Sequence, residues 1–105
     1  MHAVPYKIDF DSIAWESPIP GVRQKVVKHG SRQIRLVEYS KDMVPHWCTK
    51  GHFGYVLEGL FEIEFDGGAH RFKTGDGVLI PDGSDHMHQG RVMSDSVRVI
   101  FVEDV

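Results

Sequence analysis

Two short segments of the chain carry residue types that bind metal ions. The segment His46–His52, "HWCTKGH", contains two of the seven histidines and the single cysteine. The segment Asp85–Gly90, "DHMHQG", contains two more histidines, His86 and His88. Imidazole nitrogen and thiolate sulfur are both ligands for borderline metals such as zinc and iron. The residue types therefore predict a metal site, provided that the fold brings the two segments together.

The spacing within each segment favours a shared orientation. Positions two apart on a strand lie on one face, which would pair His46 with Cys48 and His86 with His88. Gly51 permits a turn that would return His52 toward the same pocket. The segments are more than thirty residues apart. Only a fold that closes the sheet on itself would unite them, and spacing alone does not establish such closure.

The intervening sequence predicts short strands and almost no helix. The run "HFGYVLEGLFEIEF", His52–Phe65, reads as two strands that break at Glu58-Gly59. Its second half alternates apolar residues with glutamates, which is the period of a half-buried strand. Asp66-Gly67-Gly68 is a hairpin signal. The other predicted strands are Ile34–Tyr39, Ala69–Lys73, Val78–Pro81 and Val97–Val102.

Length and composition indicate one globular domain. The chain has 105 residues, of which 41% are hydrophobic and 26% charged. These values suit a soluble protein with one modest core. We expect residues 1–33 to form an extended arm with a first strand and residues 34–105 to form the main body. Frequent turns between short strands favour an all-β sandwich or barrel.

Charge and cysteine content narrow the class of function. The net charge of -3 arises from interleaved signs, so no basic face for nucleic acid and no basic amphipathic segment for a membrane is predicted. The N-terminal residues lack the apolar run of a signal peptide. One cysteine allows no internal disulfide, which fits a reducing compartment. We therefore expect a cytoplasmic protein.

A longer motif surrounds the second histidine segment. The pattern Gly75-x5-Pro81-x-Gly83-x2-His86 is similar to the second conserved motif of the cupin superfamily. That motif normally ends in an asparagine four residues beyond its histidine, where this chain has Gly90. The other positions of the motif stand in register, so this half of the resemblance is specific.

The first cupin motif is present in altered form. The stretch "YVLEG", Tyr55–Gly59, resembles its second half, and counting back from Gly59 assigns the motif's glutamate ligand to position 52, where this chain has His52. The motif's paired histidines fall on His46 and Cys48. Both departures retain a residue type that binds metal, which favours a site altered in ligand type over one that is lost.

The resemblance implies a jelly-roll barrel, a double-stranded β-helix, over most of the chain from Ile34. It also implies a divalent metal, zinc or iron, with nickel and manganese as alternatives. The implied metal ligands are His46, Cys48, His52 and His86.

Two kinds of metal site remain open. If Cys48 binds as a thiolate, three nitrogens and one sulfur form a nearly closed, zinc-like tetrahedral site. If Cys48 stays outside the coordination sphere, three neutral histidines leave open positions for chemistry. Loss of the glutamate removes the anionic ligand, and a thiolate would restore one negative charge. We therefore expect Cys48 to lie beside the metal.

Three classes of function fit this site. The first is a metal-dependent enzyme acting on a small organic molecule in the barrel cavity, with His88 and then Tyr55 or Tyr39 as candidate acid–base residues. The second is a non-catalytic module that binds a small molecule or a metal. The third is a structural barrel. Because a small jelly roll has exposed edge strands, we also expect a homodimer.

Overall fold

The structure is a computed structural model that describes residue 4 and residues 6–105. Within these residues the chain forms antiparallel β-strands and two three-residue 3-10 helices, Phe10–Ser12 and Ser84–His86. The strands are β1 (Glu16–Ile19), β2 (Val22–His29), β3 (Arg32–Ser40), β4 (His52–Glu58), β5 (Leu60–Phe65), β6 (Gly68–Lys73), β7 (Gly77–Ile80), β8 (His88–Val92) and β9 (Ser96–Asp104). The prediction of an all-β protein is confirmed.

The strands form two sheets. The larger sheet has six strands in the order β1-β2-β3-β9-β4-β7, and the smaller has three in the order β6-β5-β8. In the described part of the chain, strand pairing leaves these sheets separate and does not close them into a barrel. No helix among the described residues has the length and apolar character needed to cross a bilayer.

One hydrophobic core lies between the two sheets. Val37, Val56 and Val99 of the larger sheet are completely buried, and Phe61 and Ile63 of the smaller sheet belong to the same apolar cluster. The predicted alternation of β5 is confirmed, because its apolar residues face this core. The two sheets are therefore packed face to face, and burial of their inner faces is the main favourable term in folding.

Glycine ends β4 at the predicted position. Gly59 has a φ of +101°, a backbone conformation that side chains rarely adopt. A Cβ atom at this position would also collide with the backbone carbonyl of Ser96. Both constraints explain why the run from His52 to Phe65 breaks into two strands here.

The N-terminal region is part of the same β-structure. β2 pairs with β3 along its whole length, and Val22 belongs to the core. The segment before β1 is anchored as well: the Lys25 ammonium donates to the carbonyl of Phe10 at 2.6 Å and lies 4.7 Å from the centre of the Trp15 ring. The predicted extended arm thus contains a short paired strand, β1.

Candidate metal centre

Three side chains with metal-binding atoms meet at one end of the core. The ligand atoms of Cys48, His52 and His88 all lie within 4.8 Å of one another. Cys48 comes from the loop between β3 and β4, His52 begins β4, and His88 begins β8. A metal ion could bind all three after only small side-chain shifts, because zinc ligands stand about 2.0 to 2.3 Å from the ion.

Backbone pairing fixes two members of this cluster. The Cys48 N–H donates to the His88 carbonyl at 2.8 Å, and the His88 N–H donates to the Cys48 carbonyl at 3.0 Å. The two residues therefore form an isolated antiparallel bridge. Residues directly opposite in such a pair project their side chains to the same face. This bridge places the thiol and the imidazole side by side although the residues are forty positions apart.

Hydrogen bonds fix the tautomers of both histidines. His52 Nδ1–H donates to Glu103 Oε2 at 2.8 Å, and His88 Nδ1–H donates to the carbonyl of His86 at 3.0 Å. Carboxylate and carbonyl oxygens can only accept, so the proton of each neutral ring lies on Nδ1. The Nε2 lone pair of each ring is then available as a ligand. Metal-binding histidines commonly show this arrangement.

Glu103 is the centre of a buried polar network. Its side chain is only 3% exposed. It accepts hydrogen bonds from Arg35 Nε at 2.6 Å and Gln33 Nε2 at 2.9 Å in addition to that from His52. Burial opposes ionisation, but these hydrogen bonds and the charge of Arg35 outweigh it and lower the pKa of Glu103 to about 2.

The protonation state of His88 favours the binding of a cation. Burial lowers the pKa of His88 below its usual range, and this effect outweighs its opposing hydrogen bond to His86. Nearby His52 and His46 lower that pKa further. His88 is therefore neutral at pH 7, which is the form that binds metal. Burial also raises the pKa of Tyr39 to about 12, so its phenol stays protonated.

A small cavity and a larger groove adjoin the cluster. The cavity has a volume of about 80 Å³, and its lining is mostly apolar apart from the cluster and His46. The groove, of about 440 Å³, lies beside β1, β2 and β3 and is lined by Cys48 and His52 as well. Cys48 and His52 therefore adjoin both a small cavity and a groove wide enough for a small organic molecule.

The structure unites two of the four ligand positions that the resemblance implies. Cys48 and His52 belong to the cluster, and His88 completes it. His46 is exposed and lines the cavity but lies outside the cluster, and His86 is exposed in the 3-10 helix Ser84–His86. The strand begins only at His88, so the period-two rule that would align His86 with His88 does not extend back to His86.

The candidate acid–base residue Tyr55 lies on the other side of the sheet. It is three positions from His52 on β4, and an odd spacing on a strand gives opposite faces. Its side chain is about half exposed and does not line the cavity beside the cluster. The geometry separates Tyr55 from the three clustered side chains.

Glu103 and its partners are functional candidates that the residue patterns of the two segments did not reveal. One signal was available: β9 alternates, and Val97, Val99 and Phe101 face the core. Period two places Glu103 on that same buried face. A carboxylate that continues a buried apolar stripe needs a specific partner, because an isolated buried charge is costly.

Two glycines in the motifs are explained by close packing. Gly51 does not have a positive φ; a Cβ atom there would collide with the backbone of Ile80 and Asp82. Its N–H donates to Asp82 Oδ1 at 2.5 Å. A Cβ atom at Gly90 would collide with the Phe61 ring. The ring thus occupies space that the asparagine of the usual motif would require.

Comparison with known proteins agrees with this architecture. Residues 35–103 match the family model described as cupin domain. KdgF from Halomonas sp. is 27% identical and has a TM-score of 0.69, with 90% of this chain and 89% of that one covered. No curated protein matches the chain.

Two further solved structures share the fold at lower identity. An RmlC-like cupin from Shewanella frigidimarina NCIMB 400 has a TM-score of 0.74 at 17% identity, with 99% of this chain and 94% of that one covered. A sugar phosphate isomerase of the cupin superfamily from Silicibacter pomeroyi DSS-3 has a TM-score of 0.71 at 22% identity, with coverages of 91% and 73%.

Proposed function

The chain belongs to the cupin domain family, and on this premise we propose that it binds one divalent metal ion through Cys48, His52 and His88. The observation that carries the proposal is the convergence of these three ligand atoms within 4.8 Å. Two neutral imidazoles and a thiolate suit zinc, and iron is the second candidate. Three protein ligands leave a fourth position for water or a substrate atom.

We propose that the ion serves chemistry on a small polar organic molecule bound in the adjoining groove. A metal held by Cys48, His52 and His88 would supply Lewis acidity to an oxygen of that molecule. The groove of about 440 Å³ offers the space, and polar groups of Gln24, Lys28 and Lys50 line it. His46 lines both the groove and the inner cavity, and imidazole exchanges protons near neutral pH. His46 is therefore our candidate acid–base residue.

A non-catalytic module that senses a metal or a small ligand is the second candidate. The inner cavity favours it, because its lining is largely apolar and includes no carboxylate. Incubation of the zinc-loaded protein with mixtures of small carbohydrates and hydroxy acids, followed by mass spectrometry, separates the two. Conversion of a compound supports the enzyme, whereas retention of an unchanged compound supports the module.

Separate alanine substitutions of His86 and His88, which are two residues apart, test the ligand set. We expect His88→Ala to lose most of its zinc, because His88 is in the cluster, whereas His86→Ala should keep the wild-type zinc content. The measurement is elemental analysis of protein purified without a nickel column and then reconstituted with zinc. The reverse result would assign the ligand to the position that the family motif implies.

Cys48 is tested separately by Cys48→Ser after cobalt substitution. Thiolate ligation predicts a sulfur-to-cobalt charge-transfer band in the wild type that is absent from this variant. If the two spectra are the same, Cys48 does not bind the metal and the centre is held by imidazoles alone.

We further propose that the two sheets, although strand pairing does not close them, together correspond to a jelly roll of the double-stranded β-helix type. The Cys48–His88 bridge supports this, because it links a loop of the larger sheet to an edge of the smaller one. The arm of residues 1–33 and the barrel of residues 34–105 act as one unit. The protein works in the cytoplasm, which its single free cysteine supports.

We also propose a homodimer. Leu79, Phe53 and Val102 are paired in register across β7, β4 and β9, and these residues are 71%, 54% and 46% exposed. A contiguous exposed apolar row of this kind is typical of an interaction surface. A second copy of the chain would cover it.

A further inference from the structure

We propose that Glu103 is a positioning residue for the metal centre, selecting the nitrogen that His52 offers to the ion. This inference rests on the proposed function, because it assumes that His52 is a ligand. It goes beyond that function by assigning a role to a residue outside the ligand set and outside both cupin motifs.

The need for such a residue follows from the altered first motif. Where the motif has a glutamate, this chain has His52. Either oxygen of a carboxylate can bind a metal without further preparation. A neutral imidazole has one protonated and one free nitrogen, and only the free one can bind. A partner that fixes the tautomer of a histidine at this position therefore favours metal binding.

The contacts of Glu103 supply that partner. Its Oε1 accepts from Arg35 Nε at 2.6 Å and from Gln33 Nε2 at 2.9 Å. Its Oε2 accepts from His52 Nδ1 at 2.8 Å and, over a longer distance of 3.4 Å, from Arg35 NH2. Both oxygens are thus engaged, and Arg35 and Gln33 hold Glu103 in place beside His52. The carboxylate is too fully bonded to act as a ligand itself.

Orientation is the main effect of Glu103, and net charge is not. The Arg35 guanidinium makes an ion pair with Glu103 and balances its charge. Arg35 is itself held, because its NH1 donates to Gln24 Oε1 at 3.0 Å. The network from Gln24 through Arg35 to Glu103 therefore fixes the direction of the hydrogen bond to His52. It adds little net negative charge to the site, because Arg35 balances the charge of Glu103.

The substitution Glu103→Gln tests this role directly. Glutamine has one acceptor oxygen and one NH2 group in place of two acceptors. If Arg35 and Gln33 keep the oxygen, the NH2 group faces His52 Nδ1. That nitrogen must then accept, and the His52 proton moves to Nε2. We expect the zinc affinity to fall about 10- to 100-fold, as is typical for loss of such a partner.

The first measurement is the His52 tautomer in the metal-free protein, read from two-dimensional 1H–15N spectra of the imidazole rings. We expect Nδ1–H in the wild type and a shift toward Nε2–H in Glu103→Gln. Gln33→Ala is the matched control, because it removes one donor to Glu103 and leaves the bond to His52 in place. It should keep the wild-type tautomer and bind zinc within a few-fold of the wild type.

Three outcomes decide the proposal. An Nε2–H tautomer in wild-type His52 would overturn it, even if Glu103→Gln does not fold. A folded Glu103→Gln with unchanged tautomer and zinc affinity would also overturn it and leave Glu103 a structural residue. If wild-type protein binds no metal, the proposed metal-binding function is wrong, whatever the role of Glu103. The tautomer measurement then decides only whether Glu103 orients His52.

Discussion

At the scale of single residues, Glu103 shows how a buried charge is stabilised. Removal of a carboxylate from water is costly unless donors replace the lost hydration. His52, Arg35 and Gln33 provide those donors, and the pKa falls from 4.5 to about 2. The folded protein therefore binds the Glu103 proton more weakly than the unfolded chain does. Ionised Glu103 thus stabilises the fold above about pH 4.5, and this contribution is lost as the pH falls toward 2.

This linkage predicts that the free energy of unfolding falls at acid pH by an amount that depends on Glu103. The contribution is on the order of 3 kcal/mol, from about 1.4 kcal/mol for each pH unit between the two pKa values. Urea denaturation at pH 7, 5 and 3 should show a steeper loss of stability below pH 4.5 in the wild type than in Glu103→Gln. Glu58→Gln, at an exposed position, should follow the wild type. Parallel curves for wild type and Glu103→Gln would contradict the prediction.

Residue type and motif position singled out Cys48 and His52, and the structure brings these two side chains together. The motif also selected His86, whereas His88 is the histidine of the second segment that joins the cluster. Which of the two histidines joins it depends on where the 3-10 helix Ser84–His86 ends and β8 begins, which is set by tertiary pairing with β5. Only the alternation of β9 could have predicted that Glu103 is buried. Its partner His52 could not be identified from local pattern, because the two residues are distant in sequence.

At the scale of elements, strands that alternate, that are rich in β-branched residues or that follow a clear turn signal were predictable, whereas β8 was not. β3, β5 and β9 alternate or are rich in β-branched residues, and the predicted bounds differ from the observed ones by a few positions at most. β8, "HQGRV", has little intrinsic strand preference, and it is held by pairing along β5 and by the bridge to Cys48. Tertiary context thus outweighs propensity here.

The contact between β5 and β8 gives a prediction about Gly90. Gly90→Ala should destabilise the protein by about 1 to 3 kcal/mol, because the new Cβ atom collides with the Phe61 ring in a packed core. Gly77→Ala is the matched control: it is also a strand glycine, and its Cβ would meet only Gly54 O at 3.8 Å. Thermal denaturation measures both.

A double mutant identifies the cause of the Gly90 effect. Phe61→Leu removes the outer part of the ring that a Cβ at Gly90 would meet. If the ring is the obstacle, adding Gly90→Ala to Phe61→Leu should cost clearly less than Gly90→Ala costs alone. Strict additivity would show that the cost arises elsewhere, for example in the β8 backbone.

At the scale of the whole molecule, the association of the two sheets could not be predicted from local pattern. The cluster of Cys48, His52 and His88 forms because Cys48, in a loop of the larger sheet, pairs with His88 at the edge of the smaller sheet. That pairing joins residues forty positions apart, and neither segment encodes it alone. The resemblance to cupins supplied the expectation that the segments meet, and the packed core between the sheets explains how they do.

The surface of the larger sheet carries the last prediction. Isolated exposed apolar side chains are ordinary, but Leu79, Phe53 and Val102 are neighbours in register across three strands. If a second copy covers this row, Leu79→Lys should convert a dimer into a monomer of 11.9 kDa, because burying an unpaired ammonium in an apolar interface is costly. Light scattering after size-exclusion chromatography, over a range of concentrations, measures the mass.

Val44→Lys is the matched control for Leu79→Lys. Val44 is 75% exposed, close to the 71% of Leu79, but it lies in the loop between β3 and β4 and outside the row. Introducing the same charge there should leave the dimer intact. A wild type that is monomeric at every concentration would exclude the dimer. A Leu79→Lys variant that stays dimeric would move the interface from this sheet face to the edge strands, where unpaired backbone groups are the alternative source of association.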